Sequence, residues 1–485
     1  MTFDRADVAE THASVVFFMG DRAYKVKKPV ALGFLDFTTR EAREAVCRRE
    51  VELNRRLSPD VYLGVSDVLD VDGAVCDHLV VMRRMPADRR LGTLVRNRVA
   101  TEEQIDAIAR VLAAFHAGAD GGAHIDTSAT VEAVRANWSQ SFAQMQRFTG
   151  TVLPEAAAER VETLALRYLA GRGELFARRI AEGRIRDGHG DLLADDIFVL
   201  DDGPRILDCI EFNDRFRYGD VLNDVAFLAM DLEFSGAPEL ARHLLDRWAE
   251  LTAETHPASL AHHYVAYRAH VRSKVACLRA DQGDAFAADD AARHLVLALE
   301  HLERGRVALV VVGGLPGTGK STLAEGFGAE LGWLVLRSDA VRKELAGITS
   351  ETPAAADYRG GIYSADATER TYAELLRRAR RALELGESVV IDASWTSAHQ
   401  RAEAAQIASA TDSELFELRC TVPDDVAAYR MRTRTRPFGS DATPTIAAAM
   451  AVAADPWPSA HSVDTDRPSA AVLADGLEQL APSGP

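Results

Sequence analysis

The chain has 485 residues, of which 47% are hydrophobic and 27% charged, and its net charge is −17. That length calls for roughly two to four domains, and that balance excludes wholesale disorder. The charge is −6 over residues 301–485 and −11 over the remainder, so neither half carries the basic footprint a general nucleic-acid binder needs.

The opening MTFDRADVAE has neither the basic nor the apolar region of a signal peptide, and no apolar stretch approaches the ~18–20 residues of a membrane span. SVVFFM (14–19) and RAYKVKK (22–28) flank a Gly20-Asp21 turn and read as a hairpin. A helix follows from about Thr39 to Leu57, capped by Thr38 or Thr39 and closed before Ser58-Pro59. VSDVLDV and HLVVM (78–82) read as two more strands. From Thr101 the pattern is helical, opened by a Thr101–Gln104 capping box. Helices continue to about 185, give way to short strands near 197–210, and resume to about 304.

RVALVVVGG (306–314) is a buried strand running into a glycine loop, and the domain boundary is placed before it, near 305. Beyond it, helix and strand alternate: helix after 319, strand 333–339, helix 366–385, strand 388–394, helix 397–410, strand 414–422, helix from 424. Such alternation predicts a parallel sheet flanked by helices. The five cysteines (Cys47, Cys76, Cys209, Cys277, Cys420) are dispersed with no CxxC pair, which points to a reducing cytoplasm. Only six of the 56 basic residues are lysine: Lys25, Lys27, Lys28, Lys274, Lys320 and Lys343. Lysine is a compact point charge where arginine is a planar fork, so each retained lysine marks either a candidate phosphate site or a chance retention.

Gly314-Leu315-Pro316-Gly317-Thr318-Gly319-Lys320-Ser321, followed by Thr322, fits GxxxxGK[ST] between a strand and a helix. Its glycines let backbone N–H groups wrap a phosphate, Lys320 would reach the β/γ-phosphates, and Ser321 would hold Mg²⁺. Asp339, read as ending the second strand, is placed to take a proton from an acceptor hydroxyl. Asp392, at the end of VVI, would order the metal. Arg430, Arg432, Arg434 and Arg436 alternate before Pro437-Phe438-Gly439. In a helix 430 and 434 share a face, so Arg430 and Arg434 are either charge stabilisers over the γ-phosphate or a solvated helix end. GGLPGTGKST, LRSDAVRK, VVIDAS, YRMRTRTR with SDAT, and VDT (463–465) resemble P-loop small-molecule and polynucleotide kinases, including the zeta-toxin-like group, over about 306–466.

The N-terminal part carries His189-Gly190-Asp191-Leu192, then Asp196 five residues after Asp191, then Asp208 in ILD. Kinase-like enzymes use D-x-x-x-x-N and a later Asp in this way: Asp191 would orient and deprotonate the acceptor, and Asp196 and Asp208 would hold Mg²⁺. HGDL resembles the catalytic loop of the aminoglycoside phosphotransferase and choline kinase branch. That resemblance implies an ATP lysine at Lys25, or Lys27 on the same strand face, a helix partner at Glu50, and a hinge near Val81–Met85. Two departures stand out: Asp196 replaces the family's Asn, and no glycine-rich loop precedes SVVFFM. Glu211, Asp220 and Asp224 add acid nearby. Glu211 is either a metal-side group or a local cap. Tyr264, Arg268 and Arg272 share one helix face and either bind an anionic substrate or pair with those acids. His262 and His263 are adjacent and are not read as a metal pair.

The order of parts resembles bacterial bifunctional aminoglycoside phosphotransferase/ATP-binding proteins. It implies a two-lobed kinase-like domain at 1–304 (N-lobe about 1–85, helical C-lobe about 86–304) and an α/β P-loop domain at 305–485. It further implies ATP and Mg²⁺ as cofactors and a cytoplasmic tandem phosphotransferase acting on a small-molecule hydroxyl acceptor. Nucleic acid and membrane are not expected as partners. In the alternative, one domain is an active kinase and the other a nucleotide-binding regulator or interaction module.

Overall fold

The computed structural model describes residues 7–10, 13–31, 36–349, 360–433 and 443–481. The chain forms two compact units. The first comprises Met1–Glu162, Phe176–His256 and Ala261–His301, and the second Thr163–Leu175, Pro257–Leu260 and Leu302–Pro485.

The first unit begins with a five-stranded antiparallel sheet: β1 (Asp7–Glu10), β2 (Ser14–Met19), β3 (Arg22–Lys27), β4 (Tyr62–Leu69) and β5 (Val75–Arg83), in the order β1-β2-β3-β5-β4. β3 alternates strictly, with Ala23, Lys25 and Lys27 buried between half-buried neighbours. The two-residue period therefore puts both lysines on one inward face. The helix Arg40–Asn54 is capped by Thr39, whose side chain accepts from Ala42 N at 3.2 Å. Its buried stripe of Val46, Cys47, Glu50, Val51 and Asn54 has helical spacing. Cys47 and Val51 pack with Ala23, Val61, Tyr62, Val80 and Met82, and that packing aims Glu50 at the β3 lysines.

The remainder of this unit is mostly helical, and the expected capping box on Glu102–Gly118 is present. Four short strands interrupt it: β6 (Ile185–Asp187), β7 (Ile197–Leu200), β8 (Gly203–Ile206) and β9 (Tyr218–Asp220), paired antiparallel as β6-β9 and β7-β8. Sequence reading found the β7-β8 region but missed β1, β6 and β9, which are only three or four residues long.

The second unit holds the predicted parallel sheet: β10 (Ala308–Gly313), β11 (Leu334–Arg337), β12 (Val389–Asp392), β13 (Glu414–Thr421) and β14 (His461–Asp464), in the order β11-β12-β10-β13-β14. All six residues of β10 are buried, as a central strand covered on both faces requires. Leu323, Ala324 and Phe327 of the helix Lys320–Leu331 join Val310, Val312, Val390, Leu418 and Val463 in one core. One expectation is corrected here. β11 stops at Arg337, and Asp339 lies in the first turn of the helix Ser338–Leu345, because the polar Arg-Ser-Asp run opens a helix instead of prolonging a buried strand.

The stretch 163–175 belongs to this second unit through polar contacts that sequence alone does not show. The buried Arg172 donates to Thr411 O at 2.7 Å and Ser413 Oγ at 3.2 Å. Burial lowers its pKa to about 10, against the opposing influence of Tyr168 and Asp412.

Candidate active sites

In the first unit, Lys25, Lys27, Glu50, Asp208 and Glu211 form one ion network. Lys25 Nζ lies 2.5 Å from Asp208 Oδ1 and 2.9 Å from Glu50 Oε1, and Lys27 Nζ lies 2.6 Å from Glu50 Oε2 and 2.6 Å from Glu211 Oε1. Glu50 is fully buried and serves both lysines, although neither contact is aligned as a hydrogen bond. Burial opposes the charge on Lys25, but Asp208, Glu50 and Glu211 outweigh it and hold its pKa well above the ordinary lysine value. Burial likewise opposes the Glu50 charge, and Lys25 and Lys27 overcome it and keep its pKa low. The two lysines, which share Glu50, differ in their second partners. Lys25 reaches the cleft-side Asp208, whose side chain is about half exposed at 48%, and Lys27 reaches Glu211, which is 9% exposed.

Asp208 itself has a left-handed backbone (φ 65°), a strained conformation of the kind that collects at functional sites. Its N–H donates to Tyr62 Oη at 3.2 Å, while the next N–H, of Cys209, donates to Asn54 Oδ1 at 2.9 Å. The catalytic-type loop is held from beneath by Asp224. That carboxylate accepts from His189 N and Gly190 N at 2.8 Å each and faces His116 Nε2 at 3.1 Å. Arg56 donates to the carbonyls of Asp187 and Gly188, and Arg268 to that of Gly190. Asp191 is left half-buried at the loop's tip. Burial raises its pKa to about 6, against the opposing charges of Arg272 and Arg268.

Asp220 is a structural acid, held by Arg179 at 2.7 and 2.6 Å and by Tyr264 Oη at 3.1 Å. Sequence reading missed that Asp224, backed by His116, holds this loop. Asp224 was visible only as nearby acid, and nothing local in the sequence links it to the loop 34 residues earlier.

In the second unit the loop Gly314–Ser321 joins β10 to the helix Lys320–Leu331. Gly314 and Gly317 have φ values of 137° and 84°, and a Cβ at either would meet a carbonyl, of Cys420 or Ala427, at 2.7 Å. Only glycine permits this loop. Lys320 Nζ rests on Leu315 O at 3.3 Å.

A cavity of about 680 Å³ opens beside the loop, lined among others by Lys320, Ser321, Asp339, Arg342, Tyr363 and Asp392. The structure thus brings five of the predicted site residues, Pro316, Lys320, Ser321, Asp339 and Asp392, to one cavity at the carboxyl ends of the strands. Lys343 Nζ lies 3.6 Å from Asp339 Oδ2, and Tyr363 Oη donates to Asp339 Oδ1 at 3.3 Å. Ile446 and Met450 of the helix Pro444–Ala453 also line this cavity.

Arg430 does not line it. Its guanidinium donates to Thr465 Oγ1 at 3.1 Å and Thr465 O at 2.8 Å, and Thr465 Oγ1 donates to Thr318 O in the loop at 2.8 Å. Arg430 is therefore tied to the phosphate loop through Thr465. Arg434 and Arg436 lie outside the described residues.

A family profile described as an AAA domain matches residues 309–455. Proteins of Mycobacterium tuberculosis (Uncharacterized protein Rv2004c) and Mycobacterium bovis (Uncharacterized protein Mb2027c) are each 45% identical to the chain over 464 residues, which is 95% of this chain and 93% of theirs. Among solved structures, a choline/ethanolamine kinase family protein from Mesorhizobium loti is 14% identical. The match covers 62% of this chain and 92% of that one, with a TM-score of 0.38. For aminoglycoside 2'-phosphotransferase-IIIa the values are 15%, 62%, 93% and 0.38. For a sugar kinase from Janibacter sp. HTCC2649 they are 19%, 36%, 94% and 0.28.

Proposed function

The chain belongs to the family of these mycobacterial proteins, and because in it an aminoglycoside phosphotransferase-like kinase domain precedes a P-loop kinase-like domain, we propose that it is a tandem ATP-dependent phosphotransferase. Each unit moves the γ-phosphoryl of ATP to a hydroxyl of a small molecule. One observation carries the reading: each unit pairs a phosphate-handling lysine with an aspartate placed for an acceptor. In the first unit Lys25 is tied to Asp208, whose charge reaches Asp191, and in the second Lys320 and Asp339 line a single cavity.

In each reaction the acceptor oxygen attacks the γ-phosphorus, the bond to the β–γ bridging oxygen breaks, ADP leaves, and the hydroxyl proton passes to the aspartate. Such transfer is mostly positioning and charge stabilisation. Asp191, with its pKa raised to about 6, is tuned toward the operating pH of a general base. Lys25, held by Glu50, is presented to the phosphates, and Lys320 serves the same role on the loop.

The donor chemistry fits a hard divalent cation. Burial raises the Asp196 carboxyl well above its usual range, and the neighbouring Asp208 and Asp191 raise it further. Asp196 therefore feels both neighbouring carboxylates, and carboxylate oxygen is the hard donor that Mg²⁺ takes. Asp196 and Asp208 would hold the ion in the first unit, Ser321 and Asp392 in the second, where it would neutralise phosphate charge. Among the described residues no helix is long and apolar enough to cross a membrane. A cytoplasmic setting is proposed with this function, in keeping with five free cysteines. A nucleic-acid partner is not proposed, given the charge of −17.

Asp196, in place of the family's Asn, favours a second reading in which the first unit binds nucleotide as a regulator and only the second transfers phosphate. The test is to incubate the full chain with γ-labelled ATP and a metabolite pool. The tandem reading expects Asp191→Ala and Lys320→Ala each to abolish a different set of labelled products. Loss of all products in Lys320→Ala with none lost in Asp191→Ala supports the second reading, and no labelled product from the wild type sinks both.

A further inference from the structure

The helix Ala258–Asp281 carries Tyr264, Arg268 and Arg272 at successive turns of one face. The first two are engaged within the fold. Tyr264 Oη donates to Asp220. Arg268 donates to Gly190 O at 3.1 Å and Asn223 Oδ1 at 2.9 Å, and its guanidinium lies 4.7 Å from the Phe227 ring centre.

Arg272, one turn further along the face that touches the catalytic loop, is half-buried and makes no hydrogen bond or ion pair with any described residue. Asp191 and Asp231 both feel its charge, yet neither comes within ion-pair range. Asp231 accepts from Ala194 N at 2.8 Å, and the neighbouring Asp195 is taken by Arg96 at 3.0 Å. A guanidinium drawn partly out of water without a partner is costly. Its planar fork matches a carboxylate or phosphate.

We propose that the acceptor of the first unit bears an oxyanion, which Arg272 binds while the acceptor hydroxyl sits against Asp191. The substrate class is therefore an anionic hydroxy compound, a hydroxy acid or a phosphorylated alcohol. The inference rests on the phosphotransfer reading and specifies its acceptor.

The test uses the full chain and γ-labelled ATP against a metabolite extract split by ion exchange at pH 7 into cationic, neutral and anionic pools. The score is the label that disappears in Asp191→Ala. The proposal expects that label in the anionic pool alone. Phosphatase treatment of that pool beforehand removes a phosphorylated acceptor and spares a carboxylate. With the isolated acceptor, Arg272→Gln should raise KM about tenfold or more at an unchanged melting temperature, and Arg272→Lys should recover part of the loss. Asp191-dependent label in the neutral or cationic pool overturns the proposal. So does Arg272→Gln that shifts the pH profile of kcat and leaves KM alone, since Arg272 then acts only on Asp191. Absence of Asp191-dependent label from every pool overturns phosphotransfer by the first unit, and this inference with it.

Discussion

Glu50 and Lys27 allow the buried ion network to be tested by its charge balance. The network holds two ammoniums and three carboxylates, with Glu50 fully buried and Lys27 only 2% exposed. Glu50→Gln keeps the shape and removes one negative charge. Lys25 still has Asp208 and Lys27 still has Glu211, so two separate pairs remain. Lys27→Met removes a positive charge and leaves Glu50 and Glu211 facing each other beside a single lysine. Breaking a buried pair costs about 3–5 kcal/mol because the abandoned partner stays buried. Glu50→Gln belongs at the lower end, about 3 kcal/mol, and Lys27→Met at the upper, about 5 kcal/mol. At about 2 °C per kcal/mol for a domain of this size, the expected drops are about 6 °C and about 10 °C. Differential scanning calorimetry of the full chain reads them. Two shifts below about 1 °C, or a larger loss for Glu50→Gln than for Lys27→Met, would refute the reasoning.

Other outcomes follow from the same geometry. Asp191 must be ionised to accept a proton and its pKa is raised to about 6, so Asp191-dependent transfer should be level above pH 7 and fall as pH drops through about 6, tracked by labelled product. Burial lowers the pKa of His263 and His270 to about 3 and of His189 to about 4. The folded chain therefore binds fewer protons than the unfolded one below the ordinary histidine value of ~6.5. Stability should be full above that pH and fall by about 1.4 kcal/mol per pH unit per histidine as the medium is acidified. Thermal melts from pH 7 to 5 check this, and His270→Phe, at a ring with both nitrogens unpartnered, should flatten the slope. Gly317→Ala places a Cβ 2.7 Å from Ala427 O at a φ of 84°. It should weaken nucleotide binding by the second unit about 100-fold or more while the first unit's binding is kept, as read by isothermal titration.

Much of this was legible in the sequence because its signals are local. The period-two pattern of RAYKVK placed Lys25 and Lys27 on one face, and the resemblance to the aminoglycoside phosphotransferase and choline kinase branch singled out Glu50 as the helix partner. The glycine spacing at 314–319 placed the phosphate loop. The scarcity of lysine was a mixed guide. Lys25, Lys27, Lys320 and Lys343 fall at the sites, whereas Lys28 pairs with Glu10 and Lys274 with Gln144. What escaped was long-range. Asp224 reaches back to His189 and Gly190, Thr465 bridges Arg430 to Thr318, and Arg172 ties its segment to Thr411. Each depends on tertiary packing between residues tens to hundreds of positions apart, for which no spacing rule exists. Asp339 was misplaced by one element because β11 has only four residues, too few for polarity alone to mark its end.

Equilibrium titration of the full chain with a non-hydrolysable ATP analogue and saturating Mg²⁺ tests the central claim most directly. Two independent pockets predict two equivalents bound per chain, falling to one in Lys320→Ala and to one, at the other site, in Lys25→Met. A wild-type stoichiometry of one or less would contradict it.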